Sequence, residues 1–78
     1  MHRTYNAPMT IILNGHPFEI AEGSTLAELI THRQKSGHLI TPVFAVERNK
    51  EVIPRKDLAS VRLQAQDQIN VAVLVGGG

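Results

Sequence analysis

No cysteine occurs anywhere in this chain of 78 residues. That absence removes the small disulfide scaffold, the cysteine-zinc module and any thiol nucleophile. Tryptophan is missing too, and one Tyr with two Phe makes a thin aromatic complement. Nothing here could build the stacking platform of a single-strand nucleic-acid binder. Charge of one sign is also scarce. Eight Lys and Arg against seven Asp and Glu leave a formal net charge of +1, without the basic excess that phosphate backbones demand. The longest apolar run, Val71 to Val75, falls far short of the ~20 residues of a membrane span. Residues 1–8 lack the apolar stretch of a secretory signal. Neither nucleic acid nor membrane is an expected partner, and the cytoplasm is the expected compartment.

What remains describes one small domain with a thin core, since a chain this short buries only about 60–65% of its unfolded surface. Residues 1–8 show no periodicity and read as a flexible N-terminal arm. The folded domain is expected over 9–75 and a flexible glycine tail over 76–78. Thr10–Leu13 reads as a strand, Asn14-Gly15 as a type I′ hairpin turn, and Phe18–Ile20 as the returning strand. Thr25 and Glu28 are spaced as a capping box, with Ser24 a competing cap. Leu26, Leu29 and Ile30 then form one apolar helical stripe that Gly37 brings to a stop.

Around Pro42 an extended connector is expected. Phe44–Arg48 follows as a third strand, Asn49-Lys50 as a second hairpin turn, and Glu51–Ile53 as a short return cut off by Pro54. Arg55–Leu63 suggests a turn or 3₁₀ segment pinned by Leu58, Val61 and Leu63. In Ile69–Val75 both alternating sets are largely apolar, as in a central strand shielded on most of its surface. The order predicts an α+β fold: a mixed sheet of four to five strands with one main helix packed across one face.

Few residues invite chemistry. His2, His16, His32 and His38 lack metal-ligand spacing, and Glu47 and Glu51 flank a hairpin rather than a pocket, so no catalytic or metal set is expected. Arg48, Lys50, Arg55 and Lys56 gather about the second hairpin. They read either as charges that protect a sheet edge from aggregation or as a docking patch for an acidic partner. Val73 and Val75 are apolar positions beside the tail that could touch a partner. The tail itself, Gly76-Gly77-Gly78, is open to two readings. It is a frayed end, or a side-chain-free arm reaching about 10 Å past Val75 that carries one carboxylate into a narrow cleft.

Thr10–Gly15, Glu22–Leu29, Ala45–Arg55 and the closing Val73-Leu-Val-Gly-Gly-Gly78 resemble the ThiS sulfur carriers of thiamine biosynthesis. The resemblance covers 9–78, and its most specific part joins the Val46–Arg55 hairpin to the terminal glycines. Gln66-Asp-Gln68 departs from it, since the family usually shows a Gly-Asp turn there. The resemblance implies a ubiquitin-like β-grasp and a carrier rather than an enzyme. A ThiF-type adenylating enzyme would use ATP to activate the Gly78 carboxylate, with Gly76 and Gly77 inserting into its active site. A cysteine desulfurase relay would supply sulfur to form a thiocarboxylate, and thiazole synthase (ThiG) would take that sulfur into the thiazole. The carrier would hold no cofactor of its own. Rival readings are the small subunit of molybdopterin synthase, which commonly has Pro before its glycines, a ubiquitin-like protein modifier, and a plain interaction domain with an inert tail.

Overall fold

Two asparagine-led turns set the two hairpins. In a computed structural model that describes residues 7–39 and 44–73, Asn14 and Gly15 take φ of 51° and 83°. Asn49 and Lys50 take φ of 53° and 73°. Successive left-handed residues match the right-handed twist of paired strands. The first turn joins β1 (Pro8–Leu13) to β2 (His16–Ala21), antiparallel from Leu13–His16 to Pro8–Ala21. The second joins β3 (Phe44–Arg48) to β4 (Glu51–Ile53). The first strand thus begins earlier than Thr10. Pro8 opens it, a position where its missing N–H is tolerated, and the Ala7 carbonyl accepts from the Glu22 amide at 2.8 Å.

Helix α1 (Leu26–Lys35) is fixed at both ends. At its start the Glu28 amide donates to Thr25 Oγ1 at 3.1 Å, and the Thr25 amide donates to Glu28 Oε1 at 2.8 Å. Ser24 is no rival cap, because its hydroxyl donates to the Ala21 carbonyl at 2.6 Å. At its end Gly37 takes φ of 81°. There the His38 and Gly37 amides reach back to the Arg33 and Gln34 carbonyls at 3.0 and 3.2 Å. This pairing satisfies carbonyls the helix would otherwise leave open.

The sheet order is β2-β1-β5-β3-β4. Strand β5 (Gln68–Val73) is the middle one, parallel to β1 through Ile12–Gln68 and Leu13–Ile69. It is antiparallel to β3 from Arg48–Ile69 to Phe44–Val73. Helix α1 lies across one face, where Ile11, Leu26, Leu29 and Ile69 are lost to solvent. A 3₁₀ helix (Arg55–Ser60) follows Pro54, and Leu58 and Leu63 close that side of the core. On the other face Gln68, Asn70 and Ala72 of β5 are exposed. The expectation that β5 is shielded on most of its surface therefore holds for one face only. A single helix covers a single face. The connector around Pro42 and residues 74–75 of the expected last strand lie outside the described residues.

At the departure from the Gly-Asp turn, Gln66 takes φ of 69°, a conformation that costs a side-chain-bearing residue about 1–2 kcal/mol. Its amide donates to the Thr10 carbonyl at 2.7 Å, which holds the turn in place. Gln66→Gly relieves that conformation and is expected to raise stability by up to about 1 kcal/mol, or roughly 4–8 °C in melting temperature. Thr25→Ala breaks the capping box and is expected to lower stability by about 1 kcal/mol. Thermal melts by circular dichroism check both signs.

Candidate functional site

Strand β5 delivers the chain to one end of the sheet, and the residues around that exit are the candidate site. Val73 lies on the helix-bearing face with Ile69 and Val71, yet it is 51% exposed. Its neighbour in register is Phe44. The Arg55 guanidinium sits over the Phe44 ring at 4.3 Å from the centroid, a cation–π contact. Phe44, Val46, Ile53, Pro54 and Leu58 line a hollow of about 200 Å³ beneath Arg55. The exit is therefore an apolar ledge with a fixed cation on its rim. Val75, Gly76, Gly77 and Gly78 lie outside the described residues.

The second-hairpin cations do not form one patch. Arg55 is at the exit, whereas Arg48 and the exposed Lys50 lie at the other end of β3. Arg48 Nε donates to Asp67 Oδ2 at 2.9 Å, so its charge is spent on a structural ion pair. Asp67, only 6% exposed, also accepts from Asn49 Nδ2 at 3.1 Å and from the Gln64 amide at 2.8 Å. Burial pushes the Asp67 carboxyl up, but the Gln64 amide, Arg48 and Asn49 outweigh it and hold it below the ordinary carboxylate range. Sequence reading missed Asp67. The signal was a lone acid in a turn, whose partner lies nineteen positions away.

His32 and His38 make local contacts, and His2 lies outside the described residues. His32 meets Phe18 edge-on with centroids 5.7 Å apart, and Arg33 lies over the same ring at 5.4 Å. His38 Nδ1 is 2.8 Å from Ser36 Oγ. That distance would suit a nucleophile and its base, but the Ser36 hydroxyl donates to the Arg33 carbonyl at 3.2 Å. An activated serine needs its proton facing the base; this pair finishes a helix instead. Among the described residues no three His, Asp or Glu side chains gather as metal ligands. No described helix is long and apolar enough to cross a membrane.

A mixed five-stranded sheet whose last strand runs in the middle, with one helix across one face, is the β-grasp architecture. Its distinctive surface here is the end where β5 runs out toward the glycines. The ThiS family model matches residues 11–78, and the chain belongs to the ThiS family. The crystal structure of the thiamine biosynthesis protein ThiS from Geobacter metallireducens superposes with a TM-score of 0.74. It is 25% identical and covers 90% of this chain and 100% of its own. A thiazole synthase of Magnetococcus marinus is 40% identical over 70 residues; the match takes in 90% of this chain but 20% of that protein's length. The uncharacterized protein ycf40 of Porphyra purpurea is 29% identical over 73 residues, 94% of this chain and 97% of that one.

Asp67 generates a pH-dependent prediction. A carboxyl that titrates lower folded than unfolded contributes stability fully above its unfolded value, and loses it as pH falls through the folded one. Asp67→Asn is expected to cost about 1–3 kcal/mol at neutral pH, because one amide oxygen cannot replace two carboxylate oxygens: either Asn49 Nδ2 loses its acceptor at Oδ1, or Arg48 and the Gln64 amide together lose theirs at Oδ2. The gap between variant and wild type should narrow below pH ~4. Urea unfolding at neutral and acid pH measures it; a constant gap across that range contradicts the ion-pair assignment.

Proposed function

We propose that this protein is a sulfur carrier for the thiazole of thiamine, a substrate of partner enzymes rather than a catalyst. The supporting observation is the family match that extends to residue 78, beyond a middle strand whose exit is framed by an apolar ledge. In this reading the Gly78 carboxylate is the working group. A carboxylate is a poor electrophile, so an adenylating enzyme of the ThiF type first joins one of its oxygens to the α-phosphorus of ATP and releases pyrophosphate. The terminal sulfur of a persulfide carried by a cysteine desulfurase relay then attacks the carbonyl carbon, and AMP leaves to give an acyl disulfide. A thiol reductant cleaves the S–S bond, ending as a disulfide with the relay sulfur, and Gly78 is left as a thiocarboxylate.

Thiazole synthase consumes that sulfur. The match to a stretch of the Magnetococcus marinus thiazole synthase supports this partner, since that protein contains a segment like this chain within a much longer one. Nothing in the scheme asks this chain for a general base, a nucleophile or a metal. Its own contribution is to hold β5 rigid and to present the last residues free of bulk. Gly76 and Gly77 suit that task because a peptide without side chains passes through a channel too narrow for any other. In this reading Val73, paired with Phe44 beneath Arg55, meets the rim of such a channel.

Removing Gly78 is expected to abolish thiazole formation in a reaction reconstituted with the adenylating enzyme, a sulfur source and thiazole synthase. The circular dichroism spectrum and melting temperature should stay as in the full chain. Undiminished thiazole formation by the shortened chain would sink the proposal.

A further inference from the structure

The end of the sheet from which the tail departs carries a second feature. Strands β1 and β5 are parallel, so the Asn14-Gly15 turn projects from the same end as the C-terminus of β5. The Val71 amide donates to Asn14 Oδ1 at 2.8 Å, which ties the two together. Val73 is only two residues, about 6–7 Å, further along. Helix α1 finishes at this end as well, and between its last turn and the β1–β2 turn lies a cleft of about 460 Å³. Leu13, Pro17 and Phe18 form its apolar part, and His16, Arg33 and His38 form its polar part. Among the described residues no carboxylate lines it. Glu28 of the same helix is held at the far end by the Thr25 amide.

Basic residues in the last turn of a helix are ordinarily explained by its dipole. That accounts for Lys35 and in part for Arg33. It does not account for His16, which comes from β2, or for the guanidinium of Arg33 turned onto Phe18 rather than onto helix carbonyls. In a chain whose net charge is only +1, the Arg33 guanidinium and two imidazoles are brought together here by the fold and not by composition.

Building on the carrier reading, we propose that this cleft docks an acidic segment of the adenylating enzyme, one Asp or Glu side chain meeting Arg33 between His16 and His38. An apolar neighbour of that side chain would lie against Phe18 and Pro17. The contact flanks the tail, so it aims the last residues at the active site as the two proteins meet. Complementary charge acts mainly on the rate of encounter, so the signature is kinetic and salt-dependent.

The test compares the full chain with Arg33→Glu and with Lys50→Glu, an equal charge change on the turn at the opposite end. A milder Arg33→Gln variant guards against misfolding of the reversal, and thermal melts verify each protein. Association with a ThiF-type enzyme is followed by stopped flow at low salt and at ~0.3 M salt. Arg33→Glu is expected to slow association about tenfold at low salt, and Arg33→Gln by less. The difference should collapse at high salt, where charges are screened within a few ångströms. Lys50→Glu should change the rate less than about twofold. Equal effects of the Arg33 and Lys50 reversals, or none, would overturn the docking assignment while leaving the carrier reading intact. Saturable shifts of the cleft residues' amide resonances with inorganic phosphate, together with unchanged association by both Arg33 variants, would assign the cleft to a small anion and overturn it too. Failure of the wild-type chain to associate at all would overturn the carrier reading and this inference with it.

Discussion

The last strand of the chain is the middle strand of the sheet, and the structure depends on that placement. Strand β5 is hydrogen-bonded to β1 on one side and β3 on the other. Its Ile69 is wholly buried against the helix layer. Without β5 the two hairpins have no common partner, and an isolated hairpin is marginal in water. Because the C-terminal segment is the keystone, whatever follows it is anchored at its root. A tail attached to an edge strand would fray with the edge. One attached to the middle strand departs from the most firmly held part of the molecule.

The core behind that strand is one helix deep, and its stability is assembled from local devices that each contribute little. Left-handed turn residues fix two hairpin registers, a capping box and a glycine stop fix the two ends of α1, and buried Asp67 joins the 64–67 turn to the second hairpin through Arg48 and Asn49. Such devices suit a small domain, where burial alone leaves a narrow margin. Among the described residues they also leave one sheet face bare and one end of the sheet uncovered. A protein that works by being handled needs surfaces that its own core does not consume.

Local chemistry made much of this legible in the sequence. Asn14-Gly15 specifies its turn by backbone preference alone, and Thr25 with Glu28 specifies a helix start through two hydrogen bonds across three residues. The alternation of Phe44, Val46 and Arg48 placed β3 with its observed limits. What sequence reading lacked was distance. The parallel pairing of β1 with β5 joins residues more than fifty positions apart, and no local pattern encodes it. Arg48 looked like a hairpin surface charge because Asp67, its partner, is remote in sequence. His16, Arg33 and His38 showed no common spacing, since a strand and a helix end bring them together only in three dimensions. Pro8 falls in a stretch without periodicity, yet a strand tolerates proline as its first residue, and β1 begins there.

The central claim is that the chain's terminal glycine receives sulfur, and mass spectrometry tests it most directly. The intact protein is incubated with a ThiF-type enzyme, ATP and a sulfur source, then fragmented. Exchange of one oxygen for sulfur adds nearly the same mass as oxidation of Met1 or Met9, so the fragment carrying the change must be identified. The account predicts the added mass on Gly78 and nowhere else. An unmodified Gly78, alongside a control carrier that the same enzyme converts, would contradict it.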